Sequence, residues 1–175
     1  MNEVRSRSLD DVDTAIVRLL SERARLPNNA LAAAVGIAPS TCLGRVRSLQ
    51  ERGVIRGYQA EIDLSALGLP LQAMIAVRMQ AHSREQVESF VSSAPALPGV
   101  VEVFHVAGGN DYLIHVAAAD PTGLHDFVIE HLVSNPAIAH AETNLIFRHI
   151  KGANVLAPPT QSAMAAKSSP AAWDT

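Results

Sequence analysis

The segment LAAAVGIAPSTCLGRVRSLQERGVI, residues 31–55, carries the clearest chemistry in the chain. Two short hydroxylic residues, Ser40 and Thr41, are followed by Arg45, Arg47 and Arg52. A helix built in this order can enter a DNA major groove, with its first residues at base edges and its arginines near bases or phosphates. The same helix needs a face to bury, and Cys42, Val46 and Leu49 supply one at helical spacing. Gly44 sits inside it, at a cost of about 1 kcal/mol in helix propensity, and permits close approach to DNA. Upstream, Ala32 is small enough to let two helices come together, Gly36 supplies the turn, and Ile37 plugs the angle between them. Ser40, Thr41, Gly44, Arg45 and Arg47 are therefore the candidate contacts to double-stranded DNA. A plain helical hairpin with a solvated basic face is the competing reading. The turn glycine, the Pro-Ser-Thr start and a strand-like segment behind the helix together favour DNA.

Three helices must position these residues. Residues 9–24 read as the first, with Leu9, Val12, Ile16, Leu19 and Leu20 on one face. Asp10, Asp11 and Asp13 fall in its first turn, where the helix dipole favours negative charge. Pro27 precedes a second helix, for which Asn28 or Asn29 is the expected cap. Leu31, Ala32 and Val35 form its buried face, and Gly36 ends it. Pro39 opens the third helix, which stops at Gly53. Residues 54–62 alternate apolar and polar, which predicts a strand, the wing of a winged helix-turn-helix unit over residues 1–60. Residues 61–70 read as a linker punctuated by Gly68 and Pro70.

The remainder repeats one pattern. Strand-like runs at 71–80, 100–107, 112–119 and 137–150 alternate with helix-like runs at 83–94 and 121–133. The order is βαββαβ, that of a ferredoxin-like α+β domain over 71–151. Its antiparallel sheet carries both helices on one face, and a second copy is the expected cover for the other, where Met74 and Ala76 lie. A homodimer or a larger even-numbered homo-oligomer follows. Residues 152–175 are rich in Ala, Pro and Ser and read as a flexible tail.

Charge divides along the chain. Residues 1–60 hold nine Arg against six Asp or Glu, a balance of +3; residues 61–175 hold five Lys or Arg against eleven, a balance of −6. A nucleic-acid-facing part on an acidic body fits that division. Aromatics at 4% argue against a stacking platform for single strands. The first residues lack the apolar core of a leader, and no run is long enough to span a membrane, so a cytoplasmic protein with no membrane partner is expected. The single cysteine, Cys42, excludes an internal disulfide and reads as a small core residue. The seven histidines show no metal-binding spacing. No nucleophile–base pair or phosphate loop is evident, so neither an enzyme nor a cofactor is expected.

The run from Leu9 to Leu69 resembles the Lrp/AsnC (feast/famine) family of transcription regulators. It opens on Leu9-Asp10-x-x-Asp13 and continues with Arg25 six residues before Leu31-Ala32. Gly36-x-x-x-Ser40-Thr41, Arg45-x-x-x-Leu49-x-x-x-Gly53-x-Ile55 and Gly57-Tyr58 complete it. The family's C-terminal half has the βαββαβ order, so the resemblance reaches about Lys151. It implies a DNA-binding regulator that responds to a small molecule, an amino acid in this family. The implied effector site is a Gly-x-x-Asp-Tyr hairpin near a pocket between subunits, with a Thr in the last strand. Here these are Gly108, Gly109, Asn110, Asp111 and Tyr112, with Thr143. Backbone N–H groups there suit a carboxylate and Asp111 suits an ammonium, although Gly-Gly-Asn-Asp is a good turn whatever binds. Three positions depart from the family pattern: Ala38 replaces a capping Ser, Gly44 a larger residue, and Ala141 a Thr. An architectural DNA-binding protein without an effector is the alternative.

Overall fold

The computed structural model describes residues 8–80, 84–150 and 152. The chain divides into two compact units between Ala60 and Glu61.

The first unit contains α1 (Asp11–Glu22), α2 (Asn28–Val35) and α3 (Pro39–Glu51). Asp10 caps α1, its carboxylate accepting the Asp13 N–H at 2.7 Å. The three helices close over Ile16, Leu20, Leu31, Ala32, Cys42 and Leu49. Such a core is small, so the turns must be tight. Gly36 makes the first of them: its φ of 71° is left-handed, and the Ile37 N–H returns to the Ala32 carbonyl at 3.0 Å. Ala32, 1% exposed, has no side chain beyond Cβ to hold the helices apart. The expected asparagine cap on α2 is not made. Pro27 occupies that position, and Asn28 instead donates through Nδ2 to the Pro39 carbonyl at 2.8 Å, tying α2 to the start of α3. Neither Ser40 nor Thr41 replaces the cap that Ala38 lacks; Pro39 in the first turn starts the helix alone.

The strand expected over residues 54–62 is not formed. The N–H groups of Val54 and Ile55 turn back to the Leu49 carbonyl, and Tyr58 and Ile62 are exposed. Alternation predicts a strand only where a second strand offers hydrogen bonds, and among the described residues none lies alongside.

The second unit holds β1 (Leu71–Met79), α4 (Arg84–Ser93), β2 (Val100–His105), β3 (Tyr112–Ala118), α5 (Pro121–Phe127) and β4 (Ile138–Leu145). A 3-10 turn, Ser65–Leu67, precedes β1 within the segment read as a linker, and α5 widens into a π-helical turn over Val128–Val133. The sheet order is β2-β3-β1-β4, antiparallel throughout. This is the ferredoxin-like α+β arrangement, with β1 and β3 central. Ala73, Ile75 and Val77 of β1 and Ile114 and Val116 of β3 pack against Phe90 of α4 and Leu124 and Phe127 of α5. The opposite face carries Gln72, Met74 and Ala76 beside Ala117, His115 and Leu113. The sequence-read tail lies outside the described residues beyond Gly152.

Gly99, at the turn into β2, has φ 81°, and a Cβ there would meet the Ala117 carbonyl oxygen at 2.6 Å. The same junction carries the Ala117 N–H to the Gly99 carbonyl at 2.8 Å. Gly99→Ala should therefore destabilise the second unit by about 2 kcal/mol or more, read as a lower urea midpoint.

Candidate nucleic-acid interface and hairpin site

Helix α3 advances about 100° per residue. Taking the buried Cys42 as reference, Ser40, Gly44 and Arg47 project from the far side, within about 60° of one another. All three are exposed, as is Thr41 on the flank. They form a continuous outward surface from the first turn to the middle of the helix. A side chain at position 44 would meet nothing within 4 Å, so Gly44 leaves this surface shallow.

Arg45 lies elsewhere. Two residues before Arg47, it is about 160° away around the helix, beside the buried stripe and facing α1. Its Nη1 donates to Asp10 Oδ2 and to Asp13 Oδ1, both at 2.7 Å. Arg52, two turns on, places Nη1 3.4 Å from Asp13 Oδ2. The Asp13 side chain is 10% exposed, and that of Arg45 33%. Asp13 is thus a largely buried carboxylate with a cation on each oxygen. The Asp13 N–H, and then Arg45, hold the Asp10 carboxyl below the usual carboxylate range. Its contribution is therefore complete at neutral pH and fades only as acid protonates it. A cleft of about 620 Å³ opens between α1 and α3, its walls including Asp10, Thr41, Gly44, Arg45 and Ser48.

By residue type and position alone Arg45 and Arg47 are equivalent, and Asp10 and Asp13 are partners of the helix dipole only. The missing signal was available: Asp10 and Asp13 are one turn apart, so a single guanidinium can bridge them.

In the second unit, residues 106–111 connect β2 to β3. Gly108 has φ 141°, a conformation that favours glycine, and it is exposed together with Gly109. Asp111 closes the loop. Its carbonyl accepts from Val106 N–H at 2.9 Å, and its own N–H reaches the Val77 carbonyl at 2.9 Å. Its Oδ2 accepts the Met79 N–H at 2.7 Å. One carboxylate oxygen thus latches the hairpin to the end of β1. Thr143 pairs with Ile75 across β1–β4, and Ile75 with Ile114 across β1–β3. Asp111 lies three residues further along and two strands over, about 14 Å away by strand spacings. A single chain does not bring Thr143 to the hairpin.

On the open sheet face His115 lies 2.9 Å from the Gln72 side-chain oxygen. Burial pushes its pKa down, which outweighs the nearby Glu102 carboxylate, so it is neutral at pH 7. Among the described residues no group of three His, Cys, Asp or Glu is placed to hold a metal ion, and no helix is long and apolar enough to cross a membrane.

Comparison with known proteins follows the same division. Residues 9–50 match the AsnC-type helix-turn-helix domain and residues 72–156 the Lrp/AsnC ligand binding domain. The chain is 50% identical to the HTH-type transcriptional regulator AldR of Mycolicibacterium smegmatis, over 88% of this chain and 90% of that one. It is 47% identical to a crystal structure of MtbAldR, with a TM-score of 0.66, covering 83% of this chain and 99% of that one. A transcriptional regulator of Neisseria meningitidis, solved as a complex with L-Met, is 30% identical with a TM-score of 0.78, over 86% and 97% of the two chains.

Two outcomes follow from the geometry. Asp111→Ala leaves the half-buried Met79 N–H without its acceptor and should lower unfolding stability by about 1–3 kcal/mol, with Asp111→Asn recovering part of it in urea titrations. Cys42 is 0% exposed and burial pushes its thiol pKa up. It should resist a thiol reagent in the native protein and react at the rate at which the first unit opens.

Proposed function

The chain belongs to the Lrp/AsnC family of DNA-binding transcriptional regulators, and from that premise we propose that it is a sequence-specific regulator whose DNA binding responds to an amino acid. The observation that carries the DNA half is the outward surface of α3. Ser40, Thr41 and Gly44 offer short groups and open backbone for base edges, and Arg47 offers a cation for a base or phosphate. Arg45 stands at the edge of that surface.

The effector half rests on the hairpin. Exposed backbone around Gly108, Gly109 and Asn110 suits a carboxylate, and the Asp111 oxygen not engaged by Met79 suits an ammonium. The neisserial relative, solved with L-Met, supports an amino acid as the ligand class. Thr143 joins this site only from a second copy, because within one chain it is too far from the hairpin. The face bearing Met74, Ala76, Leu113 and His115 is the proposed contact between copies, and a symmetric pair presents two α3 helices to a pseudo-palindromic site. The compartment proposed is the cytoplasm.

A specific observation favours a second reading, an architectural protein without an effector. Ala141 stands where the resembled family often carries a Thr, and one oxygen of Asp111 already serves the fold.

One titration separates the two. The protein, bound to DNA selected from a random pool, is titrated with each of the twenty common amino acids. Heat release and DNA affinity are followed together. The regulator reading expects at least one amino acid to bind and to change DNA affinity by a factor of about 5 to 150. Absence of binding by all twenty overturns it in favour of the architectural protein.

A further inference from the structure

We propose that Arg45 is a positioning residue, clamped by Asp10 and Asp13 to hold α3 at the attitude it takes in the groove, while Arg47 is the arginine that meets DNA. The inference rests on the reading of α3 as the groove helix and deepens it.

Three observations carry it. The first is direction: Arg45 is about 160° from Arg47 around α3, so one groove wall cannot receive both equally. The second is engagement. A single guanidinium nitrogen of Arg45 serves two carboxylates at 2.7 Å, and Asp13 holds Arg52 with its other oxygen. Arg45 and Arg52 are seven residues apart, so Asp13 grips α3 at two points about 10 Å apart along its axis. One contact would leave the helix free to pivot; two fix its tilt. The third is the origin of the grip. Asp10 is the cap of α1, bound through Oδ1 to the Asp13 N–H and through Oδ2 to Arg45. The start of α1 and the flank of α3 are therefore one hydrogen-bonded assembly, and Asp13 is too buried to leave it cheaply.

Asp10 and Asp13 would repel phosphate if they were bare. Arg45 and Arg52 neutralise them, so the same clamp removes a repulsive feature from the edge of the DNA surface. It also makes Arg45 a poor phosphate contact, because its charge is already matched by two carboxylates.

The test measures binding to a duplex selected from a random pool and to poly(dI-dC), each across a salt series, for the full chain. Arg47→Ala should flatten the salt slope for the selected duplex by about 0.9, one phosphate's worth. Arg45→Ala should cut affinity for the selected duplex about tenfold or more while leaving the salt slope unchanged and weakening poly(dI-dC) binding far less, by no more than the repulsion of the bared carboxylates. Asp13→Asn should do the same, and the double variant should be no worse than either alone, since both break one device. Asp10→Asn keeps a capping side chain and removes only one of the two partners of Arg45, so it provides a folded variant with a smaller loss of the same kind. A variant that merely unfolds would lose selected and poly(dI-dC) binding in proportion, and circular dichroism would show it. If Arg45→Ala flattens the salt slope, or if Asp13→Asn leaves selected binding intact or tightens it by freeing Arg45, the proposal is overturned. If Arg47→Ala changes neither affinity nor slope, the groove-helix reading fails first, and the positioning role fails with it.

Discussion

A carboxylate with only a tenth of its surface exposed must find cations or give up its charge, and in a three-helix unit with six buried apolar residues among those described that demand shapes everything around it. Asp13 sits where α1 meets α3. Burying it unpaired would cost several kcal/mol, a large share of the stability available to a domain of this size. Arg45 and Arg52 meet the demand, and in doing so they orient α3. The apolar contacts of Ile16, Cys42 and Leu49 hold the helices together but tolerate sliding. Ion pairs with fixed partners do not. Specific placement of the recognition helix comes from the polar contacts, and cohesion comes from the apolar ones.

The second unit answers a different constraint. A four-stranded sheet with both helices on one side has a core of branched and aromatic side chains there and a mixed surface on the other. Ala76 and Ala117 are nearly buried on that mixed face because their neighbours are larger. Neutral His115, paired with Gln72, keeps the face free of a central charge. Glu102 of β2 and Glu142 of β4 share that face on the outer strands, so a second copy that covers it must pair these carboxylates or leave them at the rim.

Much of this was legible because the periodicities are strong. The 3.6-residue stripes of α1 and α3 report which face is buried, while the continuous apolar run from Ala73 to Val77 marks β1 as a strand without naming its buried face. The family resemblance and the βαββαβ order read from residues 71–150 agree with the observed topology. What the sequence did not disclose were choices between partners. Residues 54–62 have a strand's alternation, but pairing depends on another strand, and alternation cannot say whether one is near. Asn28 has a cap's chemistry, yet its amide donates to Pro39 because the turn at Gly36 brings α3 within reach. Arg45 and Arg47 are identical as residue types, and only the angle around the helix separates them. Asp111 looked like a ligand group, and its position at the mouth of the hairpin also makes it a backbone latch.

That dual role limits how an effector can act. The hairpin and Thr143 are about 14 Å apart within one chain, wider than the carboxylate-to-ammonium span of an amino acid. On the proposed reading, a ligand held by both must touch two copies. Binding and assembly are then linked by mass action: whatever the ligand gains from the completed site, the assembly gains in stability. A ligand that bound the hairpin of an isolated chain as tightly would shift nothing. The rigid latch between Asp111 and Met79 sharpens this dependence, because the hairpin cannot swing toward Thr143 of its own chain without breaking from β1. Any response would therefore be carried by how copies pair, and through that pairing by the spacing of the two α3 helices on DNA.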